Sequence, residues 1–125
     1  MAPDYDAFVS WLRDEYGEAL RWVASFNHKR FSHNVRFIRD DLRNDLTDQQ
    51  LNVIVHRSLA VFNKAHVEDV YTHLGEAHAL IVEHERATAI HVYVSDETGV
   101  VVKLETEATV EVPGFAAACR ERLGT

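Results

Sequence analysis

The sequence predicts an α+β protein: residues 1–125 form a single three-layer domain whose five-stranded antiparallel sheet carries helices on both faces, in the order α-β-β-α-β-β-β-α. Three observations lead there. The 125 residues suit one core, because a domain commonly takes ~100–150 residues. Apolar spacing switches along the chain between every third or fourth residue and every second, the periods of helix and strand. Several strand-like runs, such as Leu80-Ile81-Val82 and Ala89-Ile90-His91-Val92-Tyr93, are apolar on both sides, so both faces of the sheet need cover.

Each element has its own signal. Pro3 and Asp4 open a helical run with Phe8, Trp11, Leu12 and Tyr16 on one stripe, Asp4 placed to cap it and Gly17 to end it. From Leu20 to Phe26 the period falls to two: Leu20, Trp22, Ala24 and Phe26 alternate with Arg21, Val23 and Ser25. Asn27 to Arg30 forms a polar turn. Phe31 to Arg39 alternates again, Val35 and Phe37 on one face and Arg36 and Ile38 on the other, which completes a hairpin. Thr47 and Gln50 have capping-box spacing, and Leu51, Ile54, Val55, Ser58, Leu59 and Phe62 trace the stripe of a helix over 48–62. Asn63-Lys64-Ala65 weakens it. Val67, Val70, Tyr71 and Leu74 resume helical spacing until Gly75, so residues 64–75 read as a short helix or a loop. The last third supplies strands at His78 to Arg86, at Ala87 to Asp96 and, after the turn Asp96-Glu97-Thr98-Gly99, at Val100 to Leu104. Pro113 and Gly114 lead into a closing helix with Phe115, Cys119 and Leu123 at intervals of four.

Composition narrows the partners. Twenty acidic residues against 13 basic give −7 with histidine neutral, and only Lys29, Lys64 and Lys103 are lysines. Acid excess with scarce lysine predicts a salt-adapted cytoplasm, where the screening length falls to ~3 Å or less and surface charge serves solubility. No nucleic acid is expected as a partner, since nothing neutralises phosphates: the densest arginine group, Arg30, Arg36, Arg39 and Arg43, is interleaved with Asp40, Asp41 and Asp45. Helices near 48–62 and 66–74 superficially match a helix-turn-helix, but His66-Val67-Glu68-Asp69-Val70-Tyr71 carries the wrong charge for DNA. A membrane is not expected either, because no apolar run reaches the ~18 residues of a span and the acidic start is no signal peptide. The single cysteine, Cys119 among alanines, reads as a small buried thiol in a reducing interior.

No motif assembles a catalytic site, so no catalytic residue, cofactor or metal ligand is assigned. Five scattered glycines cannot build a phosphate-cradling loop, and Gly-x-Ser-x-Gly and His-Glu-x-x-His are absent. Eight histidines are the most unusual feature. His66 and His73 are too far apart to share an ion, whereas His78, His84 and His91, or Glu83, are a conceivable metal set, outweighed by structural or surface roles. His91, set among Ile90, Val92 and Tyr93, is the candidate for a buried, pH-sensitive imidazole. Asp40-Asp41 with Arg39 and Arg43 could form a carboxylate metal site or an acid/base pair, but a helix start there, capped by Asp40 or Asp41 with Arg39 paired locally, is favoured.

Element order and layering resemble the profilin-like, roadblock-like and longin-like group of domains. A closer resemblance, to a family of short uncharacterised haloarchaeal proteins, rests on Leu20-Arg21-Trp22-Val23, the run Asn34 to Leu42, Tyr71-Thr-His-Leu-Gly75 and the closing Phe115, Cys119, Leu123 helix. The roadblock-like resemblance implies a dimerising scaffold or regulator; the other supports the salt-adapted cytoplasmic location and offers no activity to carry over. The expected function is therefore a non-enzymatic, homodimeric regulatory or scaffolding module. Its interface would join the edge strand 78–86 to the outer side of the 48–62 helix through Ile54, Arg57, Ser58, Val61, Ile81 and Glu83. The alternative is a small-ligand sensor with an aromatic pocket of Trp11, Trp22, Phe37 and Tyr93.

Overall fold

The computed structural model describes residues 3–112 and 114–124; Pro113, expected to lead into the last helix, lies outside them. Helix α1 (Tyr5–Tyr16) and a 3-10 turn (Gly17–Ala19) precede the hairpin β1 (Leu20–Asn27) and β2 (Ser32–Ile38). Helices α2 (Asp40–Asp45), α3 (Asp48–Val61) and α4 (Lys64–Val70) follow, with a second 3-10 turn at Thr72–Leu74. Strands β3 (Ala79–Glu83), β4 (Thr88–Tyr93) and β5 (Thr98–Leu104) then lead to α5 (Gly114–Arg122). The five strands form one antiparallel sheet in the order β2-β1-β5-β4-β3, so β2 and β3 are its edges.

The sheet divides two apolar cores, giving three layers. On one face Phe8, Val9 and Leu12 of α1 and Phe115, Cys119 and Leu123 from the closing segment pack on Leu20, Val23, Ile90, Val92, Val100, Val102 and Leu104. On the other, Leu51, Val55 and Leu59 of α3 cover Trp22, Ala24, Phe26, Ile38, Tyr93 and Val101. Local chemistry fixes the helix ends. Asp4 accepts from the Ala7 N–H, while Gly17, at φ +55°, takes the left-handed backbone that ends α1. Thr47 and Gln50 close the complete capping box of α3, each side chain bonding the other residue's backbone N–H.

The hairpin departs from strict alternation at two places, both occupied by arginine. The register with β5 shifts between Leu20 and Trp22, which sends Leu20 to the α1 side and Trp22 to the α3 side. In β2, Phe37 pairs with Val23 and Val35 with Ala24, so Arg36 is an extra residue and Val35 and Phe37 point to opposite faces. A period of two cannot reveal such β-bulges, and the expected common face of Leu20 with Trp22, and of Val35 with Phe37, is corrected accordingly. Gly99 also has a different role from the turn residue expected. It lies within β5, where a Cβ would collide with the Phe26 ring and the Val92 carbonyl.

Candidate interaction surface

Strand β3 leaves its outer backbone unpaired. The Tyr93 N–H donates to the His78 carbonyl and the His84 N–H to the Ala87 carbonyl, so positions 78, 80, 82 and 84 bond inward to β4 by the alternation of an antiparallel ladder. Ala79, Ile81 and Glu83 therefore turn their N–H and C=O groups outward. Side chains follow the other alternation: Ile81 pairs with Ile90 and lies on the α1 and α5 side, with Glu83 on the same face, whereas Leu80 and Val82 face the α3 side. Of the α3 candidates, Ile54 and Ser58 are half-buried and Arg57 and Val61 exposed. The Ser58 hydroxyl donates to the Ile54 carbonyl within the helix. Ile81 and Glu83 thus lie on the α1 and α5 face of the sheet, whereas Ile54, Arg57, Ser58 and Val61 belong to the helix that covers the other face and whose His56 meets His33 of β2, so the six do not form a single patch.

A further apolar group lies in the segment that leads into β3. Val70, Tyr71 and Leu74 are 65%, 61% and 68% exposed. Their helical spacing came from a segment that does not stay helical: α4 stops at Val70, Tyr71 leaves helical geometry at φ −130°, ψ 64°, and a 3-10 turn carries Leu74 outward. Only Val67 of that stripe packs on the α3-side core.

What anchors this segment is a buried lysine. Lys64 is 4% exposed, and its Nζ lies 2.8 Å from Glu68, 3.1 Å from Glu76 and 3.0 Å from Asp96. Burial alone would lower its pKa, yet the three carboxylates win and raise it. Glu68 also accepts from the Ala77 N–H, and these bonds hold its carboxyl below the usual range. One cation therefore ties α4 to the irregular segment before β3 and to the β4–β5 turn. In the sequence Lys64 shows only as an interruption of a helical stripe, and its i,i+4 relation to Glu68 is the one local signal of the pair.

His91 lies under the same elements. It is 4% exposed, between Leu80 and Val101 in the sheet and 5.0 Å from the Phe62 ring. Burial, assisted by Lys103, lowers its pKa to about 4. Next to it the Tyr93 hydroxyl donates to the Phe62 carbonyl at the end of α3, and burial raises this phenol to about 12. Lys103 stacks on Trp22 with its Nζ 4.7 Å from the ring centroid, and burial and Arg21 lower its pKa.

Other candidate groups do not converge. His78 and His84 bracket β3 while His91 is inside, and among the described residues no group of three or more His, Cys, Asp or Glu side chains is placed to hold a metal ion. Trp22 and Tyr93 belong to the α3-side core, and Trp11 and Phe37 pack against the opposite one, so the expected aromatic pocket is divided by the sheet. Arg39, not Asp40 or Asp41, occupies the cap position of α2. Its guanidinium makes two bonds to Asp41, at 2.6 and 2.9 Å, and also reaches Glu105 and the Glu18 carbonyl, both at 2.7 Å. These bonds raise the Arg39 pKa and lower that of Asp41. Cys119 is fully buried and burial raises its thiol to about 12, where it is a packing group. Among the described residues no helix is long and apolar enough to cross a membrane.

Known structures share this architecture. Myxococcus xanthus MglB is 10% identical over 96% of this chain and 86% of its own, with a TM-score of 0.64. A second MglB structure, described as having a tetrameric arrangement, is 13% identical over 95% and 87% with a TM-score of 0.63. The Roadblock/LC7 domain from Streptomyces avermitilis is 11% identical over 91% and 83%, at 0.57. These likenesses show a Roadblock/LC7-like fold. None of the curated proteins matches the sequence. The family model described as "Domain of unknown function (DUF7522)" matches residues 6–124, and the chain belongs to that family.

Proposed function

We propose that the protein is a non-enzymatic regulatory or scaffolding module that acts as a homodimer in a salt-adapted cytoplasm. The observation that carries this reading is the open β3 edge, together with outward apolar side chains at the end of α3, Val61, and in the segment that leads into β3, Val70, Tyr71 and Leu74. An unprotected edge and exposed large apolar side chains are surfaces that pairing or cover would stabilise. The tetrameric arrangement of the similar MglB supports self-association at the level of the fold. In the proposed dimer two β3 strands meet along the outward groups of Ala79, Ile81 and Glu83, and α3 contributes Ile54, Arg57, Ser58 and Val61.

Sedimentation at molar KCl and tens of micromolar protein should give a dimer. Ile81→Pro removes an outward N–H but no bond to β4, and Val61→Asp places charge on α3; each should shift the protein toward monomer while far-UV circular dichroism stays unchanged. Glu121→Lys, on the exposed side of α5, should leave the dimer intact. A monomeric parent protein, or a dimer indifferent to both edge and helix variants, rejects the reading. Salt adaptation makes a separate claim. Twenty carboxylates on one small domain repel each other when unscreened, so the thermal midpoint should rise from about 0.1 M to about 2 M KCl. A flat response assigns the protein to an ordinary low-salt interior.

A further inference from the structure

The opposite edge of the sheet carries a different surface. A cleft of about 1,020 Å³ runs between α1 and the end of β2, lined by Asp6, Ser10 and Asp14 on one wall and by Arg36 to Asp41 on the other. Asp6, Ser10 and Asp14 recur every four residues, so one stripe of α1 faces the cleft for about 12 Å. Val9, Leu20, Phe37 and Ile38 contribute apolar lining. The second wall begins as the free edge of β2, Arg36 to Ile38, and passes into the start of α2. The Arg39 N–H bonds to the Arg21 carbonyl, which places the neighbouring pair Trp22 and Ile38 in the non-hydrogen-bonded position and turns the Ile38 N–H and C=O away from β1.

The charges of the cleft are unevenly spent. Its three arginines are engaged within the fold: Arg13 lies over the Phe37 ring at 5.2 Å, Arg36 over Tyr5 at 4.1 Å with a bond to Ser25, and Arg39 on Asp41 and Glu105. Asp6, Asp14, Glu18 and Asp40 are exposed and form no ion pair among the described residues. An open strand edge beside unpaired carboxylates and an apolar lining is complementary to an extended chain carrying cations.

We propose that this cleft binds an extended basic segment of a partner protein, which adds as a sixth strand along β2 and sets lysine or arginine side chains against Asp6, Asp14, Glu18 and Asp40. An extended chain rises about 3.3 Å per residue, so about four residues span the α1 stripe, and alternate side chains face the same wall. Main-chain bonds to β2 provide the attachment and the carboxylates provide the preference for basic residues. Since β2 and β3 lie at opposite ends of the sheet, occupation of this cleft is independent of the dimer proposed at β3.

The probe is a fluorescein-labelled octapeptide of alternating arginine and valine, titrated by anisotropy against the whole protein, with amide shifts recorded by NMR. Binding should move the amides of β2 and leave those of β3 in place. Asp6→Lys with Asp14→Lys should weaken it about tenfold or more, whereas Glu121→Lys should change it less than about twofold. A peptide N-methylated at every second residue, with its charges kept but half its donors removed, should also bind about tenfold more weakly. No binding overturns the proposal. So does binding that ignores N-methylation, which is adsorption by charge alone, and so do shifts confined to β3. Should the double variant unfold, Asp14→Asn alone provides the charge test.

Discussion

Lys64→Met is expected to lower the thermal midpoint by about 10 °C, the largest loss from any single substitution outside the two apolar cores. Methionine fills much of the same space but leaves Glu68, Glu76 and Asp96 facing one another without their shared cation. Breaking a buried ion pair from one side costs ~3–5 kcal/mol; Glu76 and Asp96 have access to water, so ~2–3 kcal/mol applies here, and for a domain of this size that corresponds to the shift given. Calorimetry of the variant beside Lys64→Arg checks it. Arginine keeps the charge and should recover part of the loss, and Lys64→Met with Glu68→Gln should lose less than the two changes summed. A midpoint within about 2 °C of the parent would mean that α4 is held by its other contacts alone.

Acid should expose a second weak point, His91. Its folded pKa, about 4, lies below the ordinary 6.5, so the unfolded chain takes up the proton first. The stability this group contributes is complete above pH 6.5 and is lost as pH falls toward 4. Between pH 7 and 5 the loss amounts to about 2 kcal/mol, read as a drop in unfolding free energy in urea titrations at the two pH values. His91→Leu should flatten most of that dependence. His33, which burial and His56 also push down, accounts for a smaller remainder. If the variant keeps the full slope, the acid sensitivity lies elsewhere. Because His91 sits beneath Phe62 and beside Leu80, its protonation should also loosen the proposed dimer surface near pH 5.

The residues that announced their roles did so through neighbours close in the sequence. Asp4, Gly17, Thr47 and Gln50 mark helix ends within four positions of the groups they bond. The apolar run around Ile90 placed β4 inside the sheet, and the meander of the last third put β3 at its edge. What stayed hidden depended on distance or on geometry finer than a period. Glu76 and Asp96 reach Lys64 from positions far along the chain, so no local window could assemble that cage. Bulges at Arg21 and Arg36 exchange the faces of Leu20 and Val35 without altering the apolar pattern. The exposure of Tyr71 and Leu74 turned on where α4 stops, and residues 64–75 were ambiguous on that point. The α1–β2 cleft had no signature, because its walls come from a helix stripe and a strand edge that meet only through the fold.

The strand order also constrains how the chain can be made. The central strand β5 pairs with β1 and so joins residues 98–104 to residues 20–27. During synthesis the β1–β2 hairpin and the α3 region emerge long before β5, so the inner side of β1 has no sheet neighbour until residues 98–104 have left the ribosome. Closing so long a loop is slow relative to local hairpin formation. The nascent chain therefore spends an interval with Trp22, Ala24 and Phe26 beside an unpaired backbone, and a chaperone or an early cover by α3 is the natural guard against misassembly at that stage.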